Sequence, residues 1–126
     1  MRFIPTRIHG MLDYLMGVLL IVAPWVLGFS QGGPKTWLPV ALGAGLIIYS
    51  LLTDYELSLV KAIPMPVHLG LDIAGGLLLA ASPWLFGFAD QVWIPHVVVG
   101  LLEVGAGVFT QTTPAHAAAP GARPTL

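Results

Sequence analysis

The sequence predicts an all-α membrane protein with four transmembrane helices, formed by two tandem two-helix repeats in parallel orientation. Of its 126 residues, only 9% are charged and 56% are hydrophobic, which is too little polar surface for a water-soluble domain of this size. Four apolar stretches are visible, and each could cross a hydrocarbon core of about 30 Å as a helix. Helices are expected because lipid-exposed sheet edges would leave backbone groups unpaired, and four short strands cannot close a barrel.

A tandem duplication is the second basis for this prediction. His9 and Asp13 return 59 positions later as His68 and Asp72, and the apolar residues around them return with them. The first repeat is predicted at 1–61, with spans at about 7–29 and 37–54. The second is predicted at 62–111, with spans at about 66–88 and 94–111. Because each repeat has two spans, both copies should have the same orientation and be related by a pseudo-two-fold axis along the membrane normal.

The first span follows Arg2 and Arg7 and could be taken for a secretory signal. We reject that interpretation because the second repeat contains the same segment internally. Late in the first span, Pro24 is expected to bend or end the helix where Trp25 meets the membrane interface, and Gly28 is expected to permit the chain reversal. Pro83, Trp84 and Gly87 have the same predicted structural role in the third span.

The second and fourth spans are the returning helices of the two repeats. Their glycines, together with small residues of the third span, are expected to allow close helix contacts within the molecule; they are Gly43, Gly45, Gly70, Ala74, Gly75, Gly100, Gly105 and Gly107. The connection at 54–61 is predicted to extend the second helix and to present a solvated face. Residues 112–126, rich in Pro and Ala, are predicted to be disordered.

The basic residues predict the orientation in the membrane. Arg2, Arg7, Lys61 and Arg123 fall on one side of the four-span arrangement, and Lys35 falls on the other. Both termini are therefore predicted to be cytoplasmic. All four tryptophans should lie at the opposite interface; they are Trp25, Trp37, Trp84 and Trp93.

Two short motifs carry a family resemblance. Ala23-Pro24-Trp25 and Ser82-Pro83-Trp84, each followed after two residues by Gly-Phe, resemble the SPW-repeat family of small bacterial and archaeal integral membrane proteins. The resemblance covers nearly the whole chain apart from the tail. It implies two membrane helices per repeat and a location in the cytoplasmic membrane of a prokaryote. It implies no activity. Because the first copy has alanine in place of Ser82, the serine is not required in both halves, which argues against a nucleophile.

Ionisable residues within the spans are the candidate site. His9 and Asp13 lie four residues apart, as do His68 and Asp72, so each pair shares one helix face. In the fourth span, Glu103 lies on a helical stripe with His96, Gly100 and Gly107. When the two repeats are aligned so that Trp37 matches Trp93, Glu103 matches Ile47. We therefore expect His9, His68, Asp13, Asp72 and Glu103 to converge in the inner half of the bundle.

Three interpretations of this group remain open. The favoured one is a set of buried hydrogen bonds that fixes helix rotation and repeat docking. A second is a site for a proton or a small, quinone-like ligand, because intramembrane ionisable groups often mark a pathway. A third is a metal site formed by the histidines and carboxylates, or a haem with His9 and His68 as axial ligands.

The remaining composition restricts the function further. The absence of cysteine excludes disulfides, thiolate metal sites, iron–sulfur clusters and covalent c-type haem. No catalytic motif is recognisable, and a net charge of -1 provides no basic surface for nucleic acid. We therefore predict a non-catalytic small integral membrane protein without a required cofactor. Its expected partners are membrane lipids and either other membrane subunits or further copies of itself.

Overall fold

Four α-helices form the structure, a computed structural model that describes residues 1–114. They are α1 (Thr6–Val26), α2 (Pro34–Leu51), α3 (Met65–Leu85) and α4 (Ile94–Phe109). The described residues contain two isolated β-bridges and no strand, so the all-helical prediction is confirmed. The helices end two or three residues before the predicted spans do. The predicted disordered tail lies outside the described residues beyond position 114, as does Arg123.

The four predicted spans differ in length. Helices α1 and α3 have 21 residues each and are long and apolar enough to cross a membrane. They extend about 32 Å at 1.5 Å per residue. Helix α4 is apolar but has 16 residues, and α2 has 18, or about 24 Å and 27 Å. The prediction of four full spans is therefore supported for two helices, because α2 and α4 end where the chain turns into short extended segments.

The extended segments tie the two repeats into a ring. Ile4, just before α1, pairs with Thr110 after α4, and Ile63, just before α3, pairs with Thr53 after α2. The backbone hydrogen bonds match in the two places: Ile4 N to Phe109 O is 3.0 Å and Ile63 N to Leu52 O is 2.7 Å. Each repeat therefore begins where the returning helix of the other repeat ends.

This closure changes the alignment of the returning helices. Thr53 and Thr110 are 57 positions apart, whereas Trp37 and Trp93 are 56 apart. The buried faces follow the larger offset, so Glu103 corresponds to Leu46, and the predicted match with Ile47 is wrong. One residue is a rotation of about 100° on a helix.

Glycines hold the helices of each hairpin close together, and both hairpins use the same arrangement. A Cβ atom added at Gly43 would lie 2.6 Å from the carbonyl oxygen of Gly17, and one added at Gly100 would lie 2.5 Å from that of Gly76. Close helix contacts were also predicted at four other glycines, and there the prediction was wrong. A Cβ atom added at any of them would meet no atom within 4 Å; these glycines are Gly45, Gly70, Gly75 and Gly105. Those four glycines lie away from the helix contacts.

The Pro-Trp motifs end α1 and α3. Each helix stops two residues after its proline, and the reversal follows at Gly28 and Gly87, whose φ angles are 78° and 73°. Pro83 has no amide hydrogen for the Leu79 carbonyl, and Ser82 Oγ donates to that same oxygen at 2.6 Å. The first repeat has Ala23 at the position of Ser82 and makes no such bond.

Candidate functional site: an enclosed histidine and aspartate cluster

The two repeats meet at four side chains, here called the His–Asp cluster: His9 and Asp13 of α1, and His68 and Asp72 of α3. Each histidine Nε2 atom lies between the two carboxylates. The His9 Nε2 atom is 2.7 Å from Asp72 Oδ2 and 3.0 Å from Asp13 Oδ1. The His68 Nε2 atom is 2.9 Å from Asp13 Oδ2 and 3.3 Å from Asp72 Oδ2. All four side chains are at most 2% exposed.

The four-residue spacing places each histidine beside the aspartate of its own helix, as the sequence predicts. The shortest contact of each histidine, however, is with the aspartate of the other repeat. These crossed hydrogen bonds join α1 to α3, whose backbones make little direct contact. The cluster is therefore the polar side-chain connection between α1 and α3, beside the backbone bonds that join the repeats at their ends.

Two threonines fix the orientation of the imidazole rings. His9 Nδ1 is 2.7 Å from Thr110 Oγ1, and His68 Nδ1 is 2.7 Å from Thr53 Oγ1. Each threonine hydroxyl donates its hydrogen to the helix carbonyl four residues earlier, at 2.6 Å. The threonine oxygens must therefore accept from Nδ1–H, which leaves each Nε2 atom to share a proton with a carboxylate.

Two tyrosines donate hydrogen bonds to the carboxylates of the cluster, and they were not predicted from the sequence. Tyr55 OH donates to Asp13 Oδ2 at 3.1 Å, and Tyr49 OH donates to Asp72 Oδ1. The prediction of a solvated helix extension at 54–61 was wrong, because α2 ends at Leu51 and the chain folds back so that Tyr55 is fully buried. The signal available in the sequence was an aromatic side chain between two charged residues at the end of an apolar stretch.

The connection between the repeats covers the cluster. Burial raises the pKa of the Tyr55 hydroxyl, and the nearby Asp13 raises it further, so Tyr55 remains a hydrogen-bond donor. Thr6 donates to both carboxylate oxygens of Glu56 at 2.8 Å, and Lys61 Nζ donates to the Tyr55 carbonyl at 2.6 Å. These contacts hold the connection over the cluster.

Glu103 lies near the cluster, as the predicted convergence requires, but among residues 1–114 it makes no ion pair or hydrogen bond with the four cluster side chains. Its side chain is buried beside a cavity that Asp72 and Tyr49 also line. His96, on the same buried stripe, lies near the other end of α4. Its Nε2 atom donates to the Lys35 carbonyl at 2.9 Å, and its ring packs against Phe29 and Phe88.

The geometry fits some ligands better than others. One ligand atom from each member of the cluster lies within 4.8 Å of the other three, which is compatible with a small metal ion. The rings of His9 and His68 lie edge to face with centroids 5.4 Å apart, and both Nε2 atoms point at the same carboxylates. A planar porphyrin does not fit between them, so the residues present do not form a haem site.

The fold and the cluster define a class of protein: a duplicated helical bundle with an enclosed polar centre. Two of its helices are apolar and long enough to cross a membrane. In a comparison with protein families, residues 7–110 match the SPW repeat domain, and the chain belongs to this family, which confirms the predicted resemblance. No curated protein and no solved structure matches the chain. The family and the two apolar helices together indicate a small membrane-associated protein.

Proposed function

We propose that this protein is a non-catalytic integral membrane protein that acts through its helix faces, as an accessory subunit of a larger membrane assembly or as a homo-oligomer. The observation that carries the proposal is the closure of the His–Asp cluster. This main concentration of ionisable side chains among residues 1–114 is enclosed, and its polar atoms hydrogen-bond one another. A catalytic group must reach a substrate, and the four side chains of this cluster are at most 2% exposed.

The remaining surface is suited to contacts with other apolar groups. Large apolar side chains are exposed along all four helices, among them Leu15, Ile48, Leu77 and Leu101. In a bilayer these faces contact lipid or the helices of a partner. The described residues provide little mass outside the helical bundle, which leaves helix contact as the means of recognition.

The proposed arrangement has four membrane crossings and both termini in the cytoplasm of a prokaryote. Arg2, Arg7 and Lys61 lie at the end of the bundle that holds the cluster, and Lys35 lies at the opposite end. This asymmetry supports a cytoplasmic location for the cluster end. Because α2 and α4 are short, the crossing requires local thinning of the bilayer or polar contacts at the helix ends.

The test is the mass of the particle that carries the protein in its native membrane. The membrane is solubilised gently with an amphipathic copolymer, and the particle is weighed and its components are identified by mass spectrometry. Defined companions in fixed ratio support an accessory subunit, and several copies of this chain alone support a homo-oligomer. A particle with one copy and lipid contradicts the proposal.

A second candidate function is the binding of one divalent metal ion at the His–Asp cluster, and a charge balance favours it. In the cluster, two protons shared between the imidazoles and the carboxylates balance the two negative charges of the carboxylates, so the four side chains together are neutral. One dication in place of the two protons leaves the same total charge, with two neutral imidazoles and two carboxylates as ligands. Imidazole and carboxylate suit zinc, manganese or iron(II), and the Nδ1–H bonds to Thr53 and Thr110 orient both rings for ligation.

Calorimetric titration of the purified protein with zinc and with manganese tests this candidate. We expect one ion per chain, release of about two protons per ion, and loss of binding in Asp72→Asn. Asp90→Asn, a change in the outer loop, serves as the matched control and should leave binding unchanged. Binding that persists in Asp72→Asn, or occurs without proton release, contradicts the metal site.

A further inference from the structure

A cavity between α2 and α3 lies beside the His–Asp cluster, and Asp72 is the one cluster residue that lines it. Its volume is about 310 Å³, or roughly ten water-sized volumes of about 30 Å³ each. Residues of its rim are exposed, including Ala41, Leu71 and Ala74, whereas Leu46 and Leu79 at its floor are buried. The cavity therefore opens between the helices on the apolar outer surface of the bundle.

Two glycines create this cavity, and the duplication shows what fills the equivalent place. Gly45 and Gly75 line it, and an added Cβ atom at either glycine would meet no atom within 4 Å. On the opposite face, between α1 and α4, the corresponding positions hold Leu102 and Met16. The chain therefore has space on one side of the bundle where it has long apolar side chains on the other.

The polar side chains at the cavity are two carboxyl groups and one tyrosine hydroxyl. Glu103 is 8% exposed and lines the cavity, and among residues 1–114 its carboxyl group makes no hydrogen bond. Asp72 lines the same floor, and the nearby Tyr49 hydroxyl already donates to Asp72. The corresponding residue of the first repeat is Leu46, which also lies at the floor of the cavity, so the duplication supplies no second carboxyl at this position.

We propose that this cavity binds a lipophilic primary amine that enters from the membrane, with its alkyl chain between Gly45 and Gly75 and its nitrogen at Glu103. A buried carboxyl without a hydrogen-bond partner is unfavourable, and an amine nitrogen can accept the carboxyl proton and donate its N–H groups to the carboxyl oxygens in return. The amine and the carboxyl share one proton, so the occupied site is neutral overall. The walls are apolar and the volume accepts about ten non-hydrogen atoms at roughly 30 Å³ each.

The two glutamates of the chain make a direct test possible. The sequence contains only Glu56 and Glu103, so ¹³C labelling of glutamate gives two side-chain carboxyl signals by NMR. Octylamine is titrated into the full-length protein in micelles, with octan-1-ol as the probe of equal length. We expect octylamine to shift the Glu103 signal in a saturable manner and to leave Glu56 unchanged.

Two variants separate the parts of the proposal. Gly75→Met places the side chain of the first repeat in the cavity, and Glu103→Gln removes the carboxyl while retaining its shape. Each should weaken octylamine binding at least tenfold, measured through a ¹³C-methyl probe on the cavity residue Leu79. Gly105→Met, in open space on α4, is the control for Gly75→Met. An absent shift at Glu103, an equal shift with octan-1-ol, or unchanged affinity in both variants overturns the proposal.

Discussion

Replacement of Gly100 by alanine tests the packing of the second hairpin. The added Cβ atom would lie 2.5 Å from Gly76 O, 2.6 Å from Ala80 N and 2.8 Å from Ala80 Cβ. Two of these three neighbours are backbone atoms, which cannot rotate away. To reach an ordinary contact of 3.4 Å or more, α3 and α4 must separate by about 0.9 Å at this point. Overpacking of this kind costs about 3 kcal/mol, at the upper end of the usual range.

The helix preference of alanine over glycine returns up to about 1 kcal/mol. Gly100→Ala should therefore lower the free energy of unfolding by about 2 kcal/mol. Gly105→Ala is the matched control on the same helix, because its Cβ atom meets nothing within 4 Å. It should be neutral or stabilising by up to about 1 kcal/mol. Reversible unfolding in bicelles with increasing dodecyl sulfate, followed by circular dichroism, measures both. Equal stability of the two variants would refute this account of the glycine contacts.

Three further predictions concern single side chains. Glu103→Gln should change the free energy of unfolding by less than about 0.5 kcal/mol, because the carboxyl makes no hydrogen bond within residues 1–114; a loss above about 2 kcal/mol in the same unfolding assay would contradict this. Ser82→Ala should destabilise the protein by about 1 kcal/mol because the Leu79 carbonyl loses its donor. The comparison is Ala23→Ser, which adds a serine hydroxyl before Pro24, where the first repeat lacks this hydrogen bond. Since the folded state raises the pKa of Tyr55, stability from its protonated form is complete below the ordinary value of about 10 and falls at higher pH. Tyr55→Phe should reduce that alkaline loss, and an identical pH profile for both proteins would exclude the role assigned to Tyr55.

Local periodicity explains what the sequence predicts well. A spacing of four residues places His9 beside Asp13 whatever the rest of the fold does, and the duplication repeats the pair at His68 and Asp72. The Pro-Trp motifs similarly determine the helix ends through groups within one turn of the chain. Family membership follows from the same local residues.

The remaining features depend on how the repeats are placed against each other. The crossed bonds of His9 to Asp72 and of His68 to Asp13 require the ring closure at Thr53 and Thr110, which the tryptophan alignment does not show. A difference of one residue in that alignment changes the first-repeat match of Glu103 from Ile47 to Leu46, which faces about 100° away on the helix. The outward position of Gly45 was equally hidden, because lipid-facing and helix-facing positions are both apolar.

If the His–Asp cluster holds the two repeats together, His9 and Asp72 must be energetically coupled, and a double-mutant cycle measures that coupling. The cycle compares the unfolding free energies of His9→Gln, Asp72→Asn and the double variant, with His96→Gln and Asp72→Asn as a control pair from opposite parts of the bundle. We expect a coupling free energy of about 1–3 kcal/mol between His9 and Asp72, because either single change leaves a buried partner without its hydrogen bond. For the control pair we expect less than about 0.5 kcal/mol. Additive effects of His9→Gln and Asp72→Asn would contradict the claim.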